Sequence, residues 1–119
     1  MWFGVSTLGQ PVFGLPGNPV STLVCLIRYV VPALGALMSA PRARPEPIAL
    51  AEPVKFGRSM SSFLPVAVSH DEGGQVRALP RFPNGPGDFL ALAGTQGFVE
   101  LPPRAEEFPA GYVASLYRW

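Results

Sequence analysis

The stretch that most constrains this sequence is an eight-residue segment between a short apolar run and a long one. It reads Gly14-Leu15-Pro16-Gly17-Asn18-Pro19-Val20-Ser21. Asn18 is a favourable N-cap, because its side-chain oxygen can accept a hydrogen bond from a backbone N–H of the first helical turn. Pro19 suits the first helical position, where no N–H donor is needed. The sequence therefore predicts a strand that ends near Phe13, a tight loop, and then a helix.

A junction of this kind can present backbone N–H groups and the positive end of a helix dipole to an anion. Most strand–loop–helix junctions in α/β proteins nevertheless bind nothing and only start a helix. The local pattern is compatible with both interpretations.

The segment after the loop is apolar, with hydrophobic residues at helical steps of three and four. These residues are Val20, Leu23, Val24, Ile27, Val31, Leu34 and Met38. We interpret them as one face that packs against a core. Pro32 lacks an N–H and disfavours helical angles at Val31, which predicts a kink or break there. Arg28 in the middle of the segment argues against a membrane span.

The order of elements predicts a mixed fold in two parts. Residues 1–5 are expected to form a short buried strand and residues 11–15 a second one, but two strands and one helix cannot cover both faces of a parallel sheet. We therefore interpret residues 1–38 as the C-terminal strand–loop–helix piece of an α/β domain. The proline-rich residues 39–47 are predicted to be a linker. Short strands separated by turns in residues 48–119, with a hairpin turn at Asp71-Glu72-Gly73-Gly74, predict a small all-β barrel-like domain or a sandwich.

Composition narrows the classes of function. The 119 residues carry a formal net charge of +1, which gives no reason to expect nucleic acid or an anionic membrane as a partner. Only 14% of the residues are charged and 48% are hydrophobic, so we expect apolar surface that another chain or segment covers. Cys25 is the only cysteine, which excludes an internal disulfide and favours a reduced, cytoplasmic setting. With one histidine, His70, and no cysteine pair, the sequence offers no zinc-binding pattern.

Residues 10–21 closely resemble the Gly-Leu-Pro-Gly-Asn-Pro-Val-Ser segment of the molybdopterin molybdenumtransferases, the MoeA/gephyrin family. Shorter pieces of the second half resemble the C-terminal β-barrel domain of that family. These pieces are Phe56-Gly57-Arg58, Asp88-Phe89-Leu90-Ala91-Leu92-Ala93, Gly97-Phe98-Val99-Glu100-Leu101-Pro102 and Ala110-Gly111-Tyr112-Val113. The resemblance extends over nearly the whole chain but covers only the C-terminal part of the family protein.

The resemblance implies an enzyme of molybdenum cofactor biosynthesis. Such an enzyme inserts molybdate into adenylylated molybdopterin with release of AMP, uses Mg²⁺, and is expected to be a cytoplasmic homodimer. The substrate-binding residues implied here are Leu15, Pro16, Gly17, Asn18, Pro19, Ser21 and Arg58. Arg58 is the expected anion contact of the barrel half, because the donor fork of a guanidinium suits phosphate. A solvated arginine after a turn glycine is the alternative.

The resemblance assigns no catalytic and no metal-binding residue to this chain, because the acidic metal-binding positions and the lysines of the family lie upstream. Two positions depart from the family pattern: many members carry an arginine shortly after Phe63, and a serine where this chain has Pro86. We therefore expect the chain to act only within a full-length enzyme and to be inactive alone. The alternatives are a non-catalytic scaffold or peptide-binding module derived from the same barrel domain, and a truncated product without function.

Overall fold

The computed structural model describes residues 1–56, 60–85, 87–103 and 105–119. The chain divides into two compact units, Met1–Ala43 and Arg44–Trp119. We call them the N-terminal unit and the barrel unit and describe each by itself.

The N-terminal unit is a hairpin followed by a helical segment. Strands β1 (Trp2–Val5) and β2 (Pro11–Gly14) pair antiparallel, with Trp2 opposite Gly14 and Val5 opposite Pro11. The helical segment consists of α1 (Pro19–Cys25), a π-helical turn (Leu26–Val30) and α2 (Val31–Leu37). The predicted order of strand, turn, strand, loop and helix is therefore present.

The predicted break of the helix at Pro32 is wrong, whereas the other predicted outcome, a kink, stays a prediction. Val31 keeps helical angles, with φ −59° and ψ −47°, so the helix continues through the proline. The turn before Pro32 is instead π-helical, and the Val31 N–H donates to the carbonyl of Leu26. A π turn widens the helix by one residue, which relieves the crowding between a proline ring and the preceding turn without ending the helix.

The expectation that residues 1–5 form a buried strand is wrong for burial. Trp2 is 61% exposed and Phe3 is 57% exposed in this chain. The helical stripe is open in its C-terminal half, since Val24 is buried whereas Val31, Leu34 and Met38 are exposed. The exposed apolar residues among these positions therefore have little packing within the described part of the chain.

The helical run Pro19–Leu37 is 19 residues long and apolar enough to cross a membrane by length and composition. The core helix of a soluble protein and a signal sequence have the same two properties. The absence of a membrane partner remains a prediction.

The barrel unit contains seven strands and one 3₁₀ turn within its described residues. These elements are β3 (Glu46–Leu50), β4 (Val54–Lys55), β5 (Ser62–His70), β6 (Val76–Pro80), the 3₁₀ turn (Phe89–Leu92), β7 (Gly97–Leu101), β8 (Glu107–Phe108) and β9 (Val113–Arg118). Five of the strands close a barrel in the order β3-β6-β5-β7-β9, and β4 pairs with β8 apart from it. The β3–β6 pair is parallel and the other barrel pairs are antiparallel. The predicted small barrel is confirmed.

Every second side chain of a barrel strand points into the barrel interior, because successive side chains of a strand point to opposite faces. The buried cluster consists of Ile48, Leu50, Val54, Leu64, Val66, Ala78, Val99, Leu101, Phe108, Ala114 and Leu116. The buried side chains of the described residues are all apolar. The barrel therefore has a hydrophobic core of its own.

A second apolar cluster lies on the other face of β7. Phe98 is fully buried, and its ring centroid lies 5.8 Å from that of Phe63, 5.2 Å from that of Tyr117 and 5.4 Å from that of Trp119. The Trp119 indole N–H also donates to the Thr95 hydroxyl over 2.9 Å. The C-terminal residue is thus fastened to the barrel by ring contacts and by one hydrogen bond.

Candidate functional site

The candidate site is the loop that leads from β2 into α1, residues 14–19, which we call the entry loop. It begins at the last residue of β2, Gly14, and ends at the first residue of α1, Pro19. The predicted residues Leu15, Pro16, Gly17, Asn18, Pro19 and Ser21 all belong to this loop or to the first turn of the helix. The structure therefore brings these six together through chain connectivity.

Asn18 is the N-cap of α1. Its backbone is extended, with φ −78° and ψ 123°, and its side-chain oxygen Oδ1 accepts a hydrogen bond from the Ser21 N–H over 3.2 Å. Its carbonyl accepts the first backbone bond of the helix, from the Thr22 N–H, over 2.8 Å. The roles predicted for Asn18 as cap and for Pro19 at the helix start agree with this geometry.

Thr22 also shapes the entry loop, and our sequence interpretation did not include it. Its hydroxyl Oγ1 lies within hydrogen-bond distance of the Pro16 carbonyl and 2.9 Å from the Asn18 carbonyl. Both contacts are partly buried. A threonine four residues after an N-cap can bond back to the cap carbonyl, and this spacing was the available signal. The contact to Pro16 depends on how the loop folds back and has no sequence signal.

The entry loop is accessible in the N-terminal unit. Leu15 and Gly17 are exposed, whereas Pro16, Asn18 and Pro19 are half-buried. A Cβ added at Gly17 would have no atom within 4 Å outside its chain neighbours. A ligand can therefore approach the backbone at Gly17 closely, at the N-terminal end of a helical run, where backbone N–H groups and the helix dipole favour an anion.

Arg58 lies outside the described residues, and so does Pro86. The role of Arg58 as an anion contact therefore remains a prediction. Phe63 lies in β5, followed by Leu64 and Pro65 in the same strand. Shortly after Phe63, where the resemblance leads one to expect an arginine, this chain has Leu64 and Pro65, and both are buried.

The loop before the 3₁₀ turn is organised by Asp88. Its carboxylate accepts hydrogen bonds from the Asn84 backbone N–H over 3.0 Å and from the Ala91 N–H over 3.2 Å. The bond from the Asn84 N–H holds the pKa of Asp88 below its usual value, with a smaller contribution from the Ala91 N–H. Asp88 is therefore a turn-stabilising carboxylate that uses its oxygens within its own loop.

A divalent cation needs several oxygen ligands at one place. Among residues 1–56, 60–85, 87–103 and 105–119, no group of three or more His, Cys, Asp and Glu side chains could hold a metal ion. The donors in this part of the chain do not fit a Mg²⁺ site, and we derive no step through that ion.

Comparison with known proteins gives the family. The family model described as MoeA C-terminal region (domain IV) matches residues 47–119 of this chain. The chain belongs to the MoeA family. The matched region begins within β3 and includes the rest of the barrel unit.

A MoeA relative also matches the N-terminal unit. The molybdopterin molybdenumtransferase of Synechocystis sp. is 39% identical over 120 aligned positions, which include 100% of this chain and 28% of the relative. The chain therefore spans little more than a quarter of that relative's length.

Two solved structures have the same fold as this chain. The molybdopterin biosynthesis MoeA protein from Pyrococcus horikosii superposes with a TM-score of 0.70 at 33% identity, over 98% of this chain and 28% of its own. A molybdenum cofactor biosynthesis protein from Pyrococcus furiosus superposes with a TM-score of 0.65 over 93% of this chain and 39% of its own. At 17% identity, that second match supports the fold alone.

Proposed function

We propose that this chain binds adenylylated molybdopterin through its entry loop and contributes to the insertion of molybdate into that substrate, with release of AMP. The observation that carries the proposal is the 39% identity, across the entire chain, to a protein named molybdopterin molybdenumtransferase. The entry loop lies outside the region matched by the family model, so its support is this identity together with its geometry.

The entry loop suits an anionic ligand for three physical reasons. Pro16 and Pro19 each restrict their own backbone angles on either side of Gly17, which lowers the conformational entropy that the loop loses when it binds. Gly17 leaves its backbone open to close approach. The helical run that begins at Pro19 places the positive end of its dipole next to the loop. Phosphate and dithiolene groups of the substrate are the anions that we assign to this position.

We assign Arg58 to the same substrate as a second anion contact, because a guanidinium binds phosphate through paired donors. The protein of which these residues are part is proposed to be a cytoplasmic homodimer that binds neither nucleic acid nor membrane. In it, residues 1–38 would complete an α/β domain, residues 39–47 would be the linker, and residues 48–119 would be the C-terminal barrel.

Molybdate insertion is proposed to need residues beyond these 119, since the chain spans 28% of the length of its Synechocystis relative. Any Mg²⁺ used in that step is assigned to those other residues. The present chain is proposed to supply binding and orientation: the entry loop holds an anionic part of the substrate, and Arg58 is the proposed second contact. An assay with adenylylated molybdopterin, molybdate and Mg²⁺ should give no turnover by the isolated chain above a boiled control.

Titration of molybdopterin against the chain tests the binding step. Pro19→Gly should weaken binding by loosening the loop, and Arg58→Ala should weaken it by about 1.5–3 kcal/mol through loss of a charged hydrogen bond. Arg42→Ala, which removes an arginine from the proposed linker, is the matched control and should leave the affinity unchanged. Equal affinity of wild type, Pro19→Gly and Arg58→Ala would refute the proposed site. A wild-type chain that does not bind would instead favour the scaffold alternative.

A further inference from the structure

The Thr22 hydroxyl reaches from the first turns of the helix back across the entry loop. It lies within hydrogen-bond distance of the carbonyl of Pro16, six residues earlier, and of the carbonyl of Asn18, four residues earlier. One hydroxyl carries one proton, so the two carbonyls share it. The two acceptors lie on either side of Gly17, so this side chain connects both halves of the turn.

Gly17 is the residue at which the loop would otherwise be free to change shape. A glycine has the largest choice of backbone angles, and an added Cβ at Gly17 would touch nothing within 4 Å beyond its chain neighbours. Pro19 fixes only its own φ angle, and the same is true of Pro16. A contact that bridges Gly17 therefore restrains the part of the loop that the prolines leave unrestrained.

We propose that Thr22 is a positioning residue for substrate binding: its hydroxyl keeps the entry loop in the shape that accepts the anionic substrate, without touching the substrate itself. This inference rests on the proposed function for its effect on affinity, whereas its effect on the loop is independent of any ligand. Thr22 carries a methyl group as well as a hydroxyl, so valine keeps its shape and serine keeps its hydrogen bond.

The test compares Thr22→Val and Thr22→Ser with the wild-type chain. Thr7→Val is the matched control, because Thr7 is an exposed threonine in the turn between β1 and β2 of the same unit. Amide hydrogen exchange of residues 14–22 is measured without ligand, and molybdopterin affinity is measured by titration. Loss of the hydroxyl in Thr22→Val should raise exchange in the loop and weaken affinity by about fivefold each. Thr22→Ser and Thr7→Val both keep a hydroxyl at residue 22. Their loop exchange and their affinity should therefore stay within about twofold of wild type, because no hydrogen bond of the loop is lost.

The two measurements separate the two claims. Unchanged loop exchange in Thr22→Val overturns the positioning role, whatever the ligand result. Equal damage by Thr22→Ser and Thr22→Val also overturns it, because the effect would then come from packing of the methyl group and not from the hydroxyl. If the wild-type chain does not bind molybdopterin, the proposed function fails, and the exchange measurement alone then decides whether Thr22 fixes the loop.

Discussion

The backbone of Gly97 lies directly against the carbonyl oxygen of Tyr117, where β7 and β9 pair. A Cβ at position 97 would collide with that oxygen and would approach the Arg118 Cα to 3.0 Å. Gly97 is opposite Arg118 in the β7–β9 register and opposite Val66 in the β5–β7 register. It therefore lies in the middle of three paired strands, where a side chain could be accommodated only by moving backbone.

Gly97→Ala is expected to destabilise the barrel by more than about 2 kcal/mol, because overpacking against backbone cannot be relieved by a rotamer change. The measurement is urea-induced unfolding followed by tryptophan fluorescence. Gly85→Ala is the matched control, because an added Cβ there meets nothing within 4 Å. Equal midpoints for the two variants would show that the barrel closes with more room than this geometry allows.

The β5–β6 hairpin turn should contribute to stability at neutral pH and lose that contribution in acid. Asp71 accepts hydrogen bonds from the Gln75 N–H and from the Arg77 Nε, each at 2.9 Å, and these bonds hold its pKa below the usual value. A carboxyl with a lowered folded-state pKa stabilises the fold above its unfolded pKa, and the effect is lost as the pH falls through the folded pKa.

Stability should therefore decrease from about pH 5 downward, and Asp71→Asn should flatten part of that decrease. The free energy of unfolding of both proteins is measured by urea unfolding at several pH values between neutral and acid. Glu72→Gln removes the same charge from the same turn without affecting the bonds of Asp71, so it is the control. A wild-type slope in Asp71→Asn would contradict a stabilising role for the turn.

Removing the cap of α1 should weaken the start of the helix. Asn18→Ala deletes the acceptor of the Ser21 N–H and is expected to cost about 1 kcal/mol of helix stability. Asn18→Asp keeps an acceptor oxygen and should retain most of the stability. Thermal unfolding followed by the helical circular dichroism signal measures the difference. An alanine variant as stable as wild type would mean that the cap bond does not hold the helix end.

Trypsin should cut this chain first after Arg42. Residues 40–45 lie between α2 and β3, have no regular secondary structure and are exposed, and the Arg44–Pro45 bond resists trypsin because of its proline. The expected products are residues 1–42 and 43–119, identified by mass. Arg42→Gln should delay cleavage. A first cut after Lys55 or Arg77 would contradict the proposed boundary between the N-terminal unit and the barrel.

Local chemistry was sufficient to predict several elements. Asn18 and Pro19 define the start of the helix, and Asp71 with Gly74 defines the β5–β6 turn, where Gly74 adopts φ +76°. Short runs of residues separated by turns predicted the strands that supply the barrel core. Each of these features depends on neighbours within a few residues, so a single sequence contains the information.

Features that depend on residues far apart in sequence could not be predicted from local patterns. The parallel β3–β6 pair and the close approach at Gly97 follow from barrel closure, which brings together strands far apart in sequence. The helix continues through Pro32 because the preceding turn, Leu26–Val30, is π-helical and makes room for the proline ring. No local sequence rule predicts a π turn rather than a break at this position. The apolar character of Trp2 predicts a buried side chain, but it does not say which residues cover that side chain, and Trp2 is exposed in this chain.

The most direct test of the account is to map molybdopterin binding on the isotopically labelled chain by two-dimensional NMR. The largest shift changes should fall on the amides of the entry loop and the first turn of α1, from Leu15 to Thr22. Changes confined to the barrel unit, or no changes at saturating molybdopterin, would contradict the claim that the entry loop binds the substrate.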